Sequence, residues 1–261
     1  MKFKFNILIA LILLSAFSKK GMSQTKARSF YEIKVYHIQG KDQENLIDGY
    51  LKDAYLPALG RRGFKNVGVF KPIGNDTLKD QRIYVLIPFK SLNEFIDLPK
   101  QLERDALYKK AGAPYLGVTY NKPAYKRLES ILLQAFPEMT HLKVPALKNS
   151  SKERVYELRS YEGYSEEIYD NKVRMFNEGG EVKLFERLGF NAVFYASVIA
   201  GGQMPNLMYM TTFEDMTSRE EHWKTFGNDP EWKKLSTMEK YQNNVSHIDI
   251  TFLRPTDYSG I

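Results

Sequence analysis

One half of this chain is a rewritten copy of the other. Phe30-Tyr31-Glu32-Ile33-Lys34-Val35-Tyr36 returns as Val155-Tyr156-Glu157-Leu158-Arg159-Ser160-Tyr161 after 125 positions. Arg62-Gly63-Phe64 returns as Leu188-Gly189-Phe190 after 126, and Asp105-Ala106-Leu107-Tyr108-Lys109-Lys110 as Asp229-Pro230-Glu231-Trp232-Lys233-Lys234 after 124. The unit is too long for a solenoid, whose periods run roughly 20–50 residues. It has the size of a small domain. The boundaries read as a first repeat over 26–136, a linker over 137–152 with Pro137, Pro145 and a polar run, and a second repeat over 153–259.

Residues 1–23 stand outside this duplication. Lys2 and Lys4 precede an apolar run from Ile7 to Phe17, and Gly21-Met22-Ser23 offers small residues at a cleavage site. That is the pattern of a secretory signal peptide, too short for the roughly 20 apolar residues of a span. The expectation is an exported, periplasmic or secreted protein with no membrane span. Loss of Lys2, Lys4, Lys19 and Lys20, with no acid among those residues, lowers the formal charge from +7 to +3. No Lys/Arg stripe remains to suggest nucleic acid. The chain has no cysteine, which excludes disulfides, thiolate catalysis and Cys metal sites.

Within each repeat the pattern predicts strand, helix, strand, strand, helix, strand. Strands are expected near 30–37, 67–71, 83–89 and 129–136, then 155–161, 192–199, 207–213 and 245–253, from period-two alternation. Helices are expected near 43–59 and 165–188, the second loosened at Gly179-Gly180. Gly63 and Gly189 suit the residue after a helix end. Capping boxes are read at Ser91 with Glu94 and at Thr217 with Glu220, and Asp229-Pro230 reads as an N-cap followed by Pro. The loop 201–206 reads as a hairpin. This βαββαβ order gives an α+β fold: a four-stranded antiparallel sheet with helices on one face and a bare face on the other. The two bare faces are expected to pack sheet to sheet within the chain, because the tether makes that encounter a concentrated one. A monomer with an internal pseudo-dimer follows, with further homodimerisation left open.

Alternation also sorts side chains by face. Tyr31, Ile33, Val35, Tyr156 and Leu158 are expected to face the helices, and Ile248, Ile250 and Phe252 likewise. The other set, Glu32, Lys34, Tyr36, Glu157, Arg159 and Tyr161, is expected to point between the sheets with His247, Asp249 and Thr251. Acid, base and phenol thus recur in both copies. They could line a polar cavity for a small organic ligand, supply an acid or base, or pair with one another as a structural network. No two of His37, His141, His222 and His247 are spaced as metal ligands, and no metal or cofactor is expected; His37 or His247 is left open as a base or axial ligand. Ser130 or Ile131 stands opposite His247 in the alignment of the copies, so the second copy is favoured as the place of any site. Trp223, Phe226 and Trp232 fit helix packing better than a binding wall.

The second repeat resembles the NIPSNAP domain. The resemblance rests on Tyr156-Glu157-Leu158-Arg159 with Tyr161, Phe185 to Phe190, Met204 to Tyr209, Trp223, Phe226, Asp229-Pro230, Trp232 and Leu253 to Ser259. The first repeat matches more loosely, with Ala106 for Pro230 and Tyr108 for Trp232. The resemblance implies two ferredoxin-like repeats joined as an intrachain dimeric α/β barrel. Relatives of that fold include cofactor-independent monooxygenases and haem-dependent enzymes. The alternatives to simple binding are therefore a monooxygenase- or isomerase-type enzyme using Tyr161, Arg159, His247 or Asp249, and a haem-binding protein using a histidine. The family carries no catalytic residues over to this chain.

Overall fold

The computed structural model describes residues 27–261, so the signal-peptide segment lies outside the described residues. Eight strands appear: β1 Phe30–Ile38, β2 Gly68–Pro72, β3 Gln81–Phe89, β4 Arg127–Ala135, β5 Val155–Glu162, β6 Phe194–Ala200, β7 Asn206–Phe213 and β8 His247–Pro255. Each expected strand is found, with ends moved by a few residues at most. All pair antiparallel around one closed barrel in the order β1-β3-β2-β8-β5-β7-β6-β4. Each copy supplies four adjacent strands, in the matching orders β4-β1-β3-β2 and β8-β5-β7-β6. The copies also join edge to edge. At one seam Phe70, Lys71 and Pro72 of β2 pair with Pro255, Arg254 and Leu253 of β8; at the other, Leu133, Gln134 and Ala135 of β4 pair with Val198, Ser197 and Ala196 of β6. Closure leaves no open strand edge.

Helices cover the outside. In the first copy α1 Gly40–Tyr50 runs through a π turn, Leu51–Tyr55, into α2 Leu56–Arg61, and α3 Leu92–Glu103 is followed by α4 Ala106–Leu116. In the second copy α5 Glu166–Asn177 is followed by α6 Glu181–Arg187, and α7 Met216–Asn228 by α8 Pro230–Ser236. The glycine pair breaks the helix outright, with Gly180 at φ +89 starting α6. Gly63 and Gly189 hold φ +83 and +74 and close their helices; Phe64 and Phe190 each donate back to a carbonyl five residues earlier. Ser91 and Asp229 cap as expected. The Thr217 box does not form. Asp215 caps α7 instead and accepts from Ser218 N at 2.7 Å, a carboxylate being the stronger acceptor for the helix's free N–H groups. Among the described residues no helix is long and apolar enough to cross a membrane.

The expected sidedness of β1 and β5 is reversed. Tyr31, Ile33, Val35, Tyr156 and Leu158 fill the barrel interior with Phe70, Phe194, Met210 and Leu253. Glu32, Lys34 and Tyr36, and Glu157, Arg159 and Tyr161, face the helices. The reason is partnership. Side chains fill an eight-stranded barrel from all sides, and around Tyr31, Ile33, Tyr156 and Leu158 they are apolar, so few partners there could satisfy a charge. The helices bring partners of their own. Both faces of these strands are buried, so alternation separates the faces without saying which is inside. On β8 the expected inner face holds: Asp249 and Thr251 lie with Leu253 on the barrel side. Ile248 and Ile250, expected against the helices, are instead 44% and 43% exposed.

Candidate ligand-binding site

The layer between sheet and helices is built differently in the two copies. In the first, a cavity of about 580 Å³ opens between β1 and helices α3 and α4. Its walls are Tyr50, Tyr55, Phe95, Leu98, Pro99, Leu102 and Tyr108, and Glu32 and Lys34 form a charged floor. The π turn makes one wall. On an α-helix residues five apart lie about 140° apart around the axis. The i→i+5 hydrogen bonding of a π turn brings them nearly over one another. Tyr50 and Tyr55 accordingly stack with ring centroids 5.5 Å apart and planes at 23°. Tyr115 stacks on the other side of Tyr50 at 3.8 Å, and the Tyr50 and Tyr108 hydroxyls lie 3.0 Å apart.

Glu32 is 4% exposed. Its Oε1 accepts from Ser130 Oγ at 2.6 Å and lies 3.7 Å from Lys34 Nζ, too long for a hydrogen bond. Lys34 Nζ sits 5.5 Å from the centre of the Tyr55 ring. Burial raises the Tyr55 phenol well above its ordinary pKa, and the charge of Glu32 adds to this. Burial does the same to Tyr50, so both stay neutral hydrogen-bond donors. Tyr36 is not in the cavity wall; it packs edge-on against Tyr115 and Tyr125.

In the second copy helix α7 fills the corresponding space. Glu157, 0% exposed, accepts from Arg159 Nε at 2.6 Å, from Arg219 Nε and one of its terminal amino groups at 2.9 and 3.0 Å, and from Trp223 Nε1 at 2.9 Å. Arg159 stacks 3.8 Å from the Trp223 ring centre and donates to Tyr161, whose hydroxyl lies 2.9 Å from that of Tyr209. Burial alone would raise the Glu157 pKa. The Arg219 bonds, the Arg159 charge and the Trp223 bond outweigh it and hold the carboxyl below its ordinary range. This is the structural-network outcome for the second triad.

The cause is legible once the helices are aligned on their caps, Ser91 with Asp215 and Asp105 with Asp229, 124 apart in both cases. Phe95 then stands for Arg219, Pro99 for Trp223 and Leu102 for Phe226. A proline cannot cover the sheet as an indole does. Sequence reasoning missed this set because it weighed the strands of the two copies and not the helices over them.

The remaining candidates sit elsewhere. His247 and Asp249 lie at one end of the barrel, with His247 Nε2 3.1 Å from Asp249 Oδ1. Asp249, Thr251, Ser160, His37, Arg82 and Glu129 line a polar cavity of about 720 Å³ there, the barrel mouth. His37 Nδ1 is held 2.8 Å from Asp80, and its Nε2 lies 3.2 Å from Glu129. Opposite His37 on β4 stands Arg127, and opposite Glu162 on β5 stands His247. Arg127, rather than Ser130 or Ile131, is therefore the counterpart of His247. None of the four histidines lines the first-copy cleft, so no imidazole there could serve as an axial ligand.

Residues 156–260 match the model of the NIPSNAP family. No curated protein matches the chain in sequence. A presumed monooxygenase from Lactobacillus acidophilus superposes with a TM-score of 0.55 at 13% identity, covering 87% of this chain and 94% of its own. A second presumed monooxygenase, from Fusobacterium nucleatum, gives 0.58 at 9% identity over 88% and 93%. A NIPSNAP family protein from Agrobacterium tumefaciens gives 0.36 at 19% identity, covering 41% of this chain and 96% of its own. The two longer likenesses show the shared fold, an antiparallel eight-stranded barrel clad in helices.

Proposed function

Because residues 156–260 form a NIPSNAP domain, we propose that the first copy is the ligand-binding half of this protein and the second its structural counterpart. The cleft takes a small, flat, mostly apolar organic molecule with one polar group. The observation that carries this is a cavity of about 580 Å³ with aromatic walls over a buried acid, Glu32, beside the half-buried Lys34. Ligand sites typically have about 300–1,000 Å³, apolar walls and a few polar groups that fix orientation. A ring packs among Tyr50, Tyr55, Phe95 and Tyr108, and its polar group reaches Lys34 and Glu32. The leader at residues 1–23 would place this activity outside the cytoplasm; a mature N-terminus at Gln24 in a secreted or periplasmic fraction tests that, and an intact Met1 contradicts it.

Native mass spectrometry of protein from its own host tests the binding. A co-purified small molecule is expected in the wild type and not in Lys34→Met. Absence of any bound mass, together with no uptake of a neutral aromatic probe such as N-phenyl-1-naphthylamine, overturns the proposal.

One observation favours a second reading, a cofactor-independent enzyme of monooxygenase or isomerase type. Glu32 is a buried carboxylate at a ligand cavity, with Lys34 nearby to stabilise an anion formed by proton removal. Arg159 and Tyr161, expected as its working groups, are committed to the Glu157 network, and His247 and Asp249 lie at the barrel mouth. On this reading Glu32→Gln abolishes turnover of the co-purified molecule while leaving it bound. Unchanged turnover excludes it.

A further inference from the structure

The barrel mouth carries a donor set that the cleft does not use. Glu162 ends β5 and pairs directly with His247, the first residue of β8. Asp249 lies two residues further along β8, so the strand period puts it on the face of His247. One ligand atom from each of the three falls within 4.8 Å of the others. We propose that Glu162, His247 and Asp249 bind a divalent transition-metal ion, of the zinc type, at the mouth of the barrel.

Four features support this. The first is reach. Donors at ~2.0–2.2 Å from one ion lie at most about 4.4 Å apart. The side chains of His247 and Asp249 are 58% and 50% exposed, so closing the remaining gap needs only rotamer shifts. The second is charge. Among the described residues neither Glu162 nor Asp249 has a lysine or arginine within 4 Å, and the basic group near Asp249 is His247 itself. Two carboxylates this close to one another favour a shared cation.

The third is the internal comparison. The matching register positions in the first copy are His37, Arg127 and Glu129. There the charge is balanced: Asp80 bridges His37 and Arg82 at 2.8 and 2.6 Å, and Glu129 lies against His37. The acid excess is thus a property of the second copy and not a requirement of barrel closure. The fourth is position. Asp249 belongs both to the triad and to the wall of the 720 Å³ cavity. Gln203, from the β6–β7 hairpin, donates to Asp249 Oδ2 at 3.4 Å, and Asp249 Oδ1 faces His247 Nε2 at 3.1 Å, so the two ligand atoms already point at one place. Three protein ligands leave a fourth position for water or a small anion. One imidazole with two carboxylates selects zinc-like ions over calcium or magnesium, which prefer all-oxygen sites.

The test uses untagged full-length protein, stripped with chelator. Zn²⁺ is titrated by calorimetry, and Co²⁺ binding is followed by its visible absorption. One equivalent should bind. His247→Ala and Asp249→Asn should each weaken Zn²⁺ at least tenfold, while His141→Ala leaves it unchanged. Circular dichroism and melting curves report the fold of each variant, which these exposed positions should spare. A tenfold excess of Ca²⁺ should not displace the ion. No binding at 1 mM metal, equal affinity in His247→Ala, or ready displacement by Ca²⁺ overturns the proposal; the last would mean an ordinary acidic patch.

Discussion

The two sheet–helix layers of this molecule begin from the same strand motif and end with different contents. Glu32 and Glu157 occupy equivalent places, and both are buried. Among the described residues Glu157 accepts hydrogen bonds from Arg159, Arg219 and Trp223, and Glu32 from Ser130 alone, over an open cavity. The difference comes from the helix above. Where α7 carries Arg219 and Trp223, α3 carries Phe95 and Pro99. A buried charge must be satisfied from somewhere. The second copy satisfies it permanently from its own helix. In the first, Glu32 has a weak internal pair, and part of the volume above it is left for another molecule.

That contrast can be broken from either side. The largest effect should come from Glu157→Ala, which leaves the buried Arg159 and the half-buried Arg219 without their carboxylate. It should cost about 3–5 kcal/mol by denaturant unfolding. Glu32→Ala should cost well under half of that. Equal costs would mean that the two layers are not different in kind. Next, Trp223→Ala should open a cavity in the second copy at a cost near the lower end of the ~3–5 kcal/mol seen for buried aromatics, since Trp223 is only partly buried. A crystal structure with Trp223→Ala showing the space closed by collapse would contradict the plug role.

Acid titration should show a smaller difference. The folded-state pKa of Glu157 is depressed, so its stabilisation is full above the unfolded carboxylate value of about 4.3 and is lost as pH falls through the folded one. Glu157→Gln should therefore flatten the loss of stability below pH ~4.5, and an unchanged acid slope would argue against the network. The smallest effect concerns the helix breaks. Gly180 at φ +89 has nothing within 4 Å of an added Cβ, so Gly180→Ala should cost only backbone strain, of order 1 kcal/mol. It should leave ligand binding in the first copy untouched.

Much of this architecture is written in the sequence at the level of elements. Duplication, strand positions, the Gly63 and Gly189 stops and the Ser91 and Asp229 caps all depend on local chemistry, and local chemistry is what a sequence displays. Sidedness is not local. With strands buried on both faces, Tyr31 and Glu32 differ in polarity but not in burial, and only the helices decide which face takes the charge. The π turn is hidden for a related reason: Tyr50 and Tyr55 do not share a face on an ordinary helix, so no periodicity links them. The cleft depends on Pro99 against Trp223, two residues whose correspondence emerges only when helix caps are aligned. The triad at the mouth combines β5 and β8, which meet through strand pairing across about 85 residues, and a search for paired histidines passes over a site with one.

The central claim is that the first-copy cleft holds a ligand where the second holds Trp223. Pro99→Trp places an indole at the corresponding position of α3. Native mass spectra of the wild type and this variant, purified side by side from the same host, test the claim most directly. The account predicts a bound small molecule in the wild type and none in Pro99→Trp, with the variant's melting temperature unchanged or higher. The same bound mass retained at the same occupancy in the variant would contradict it.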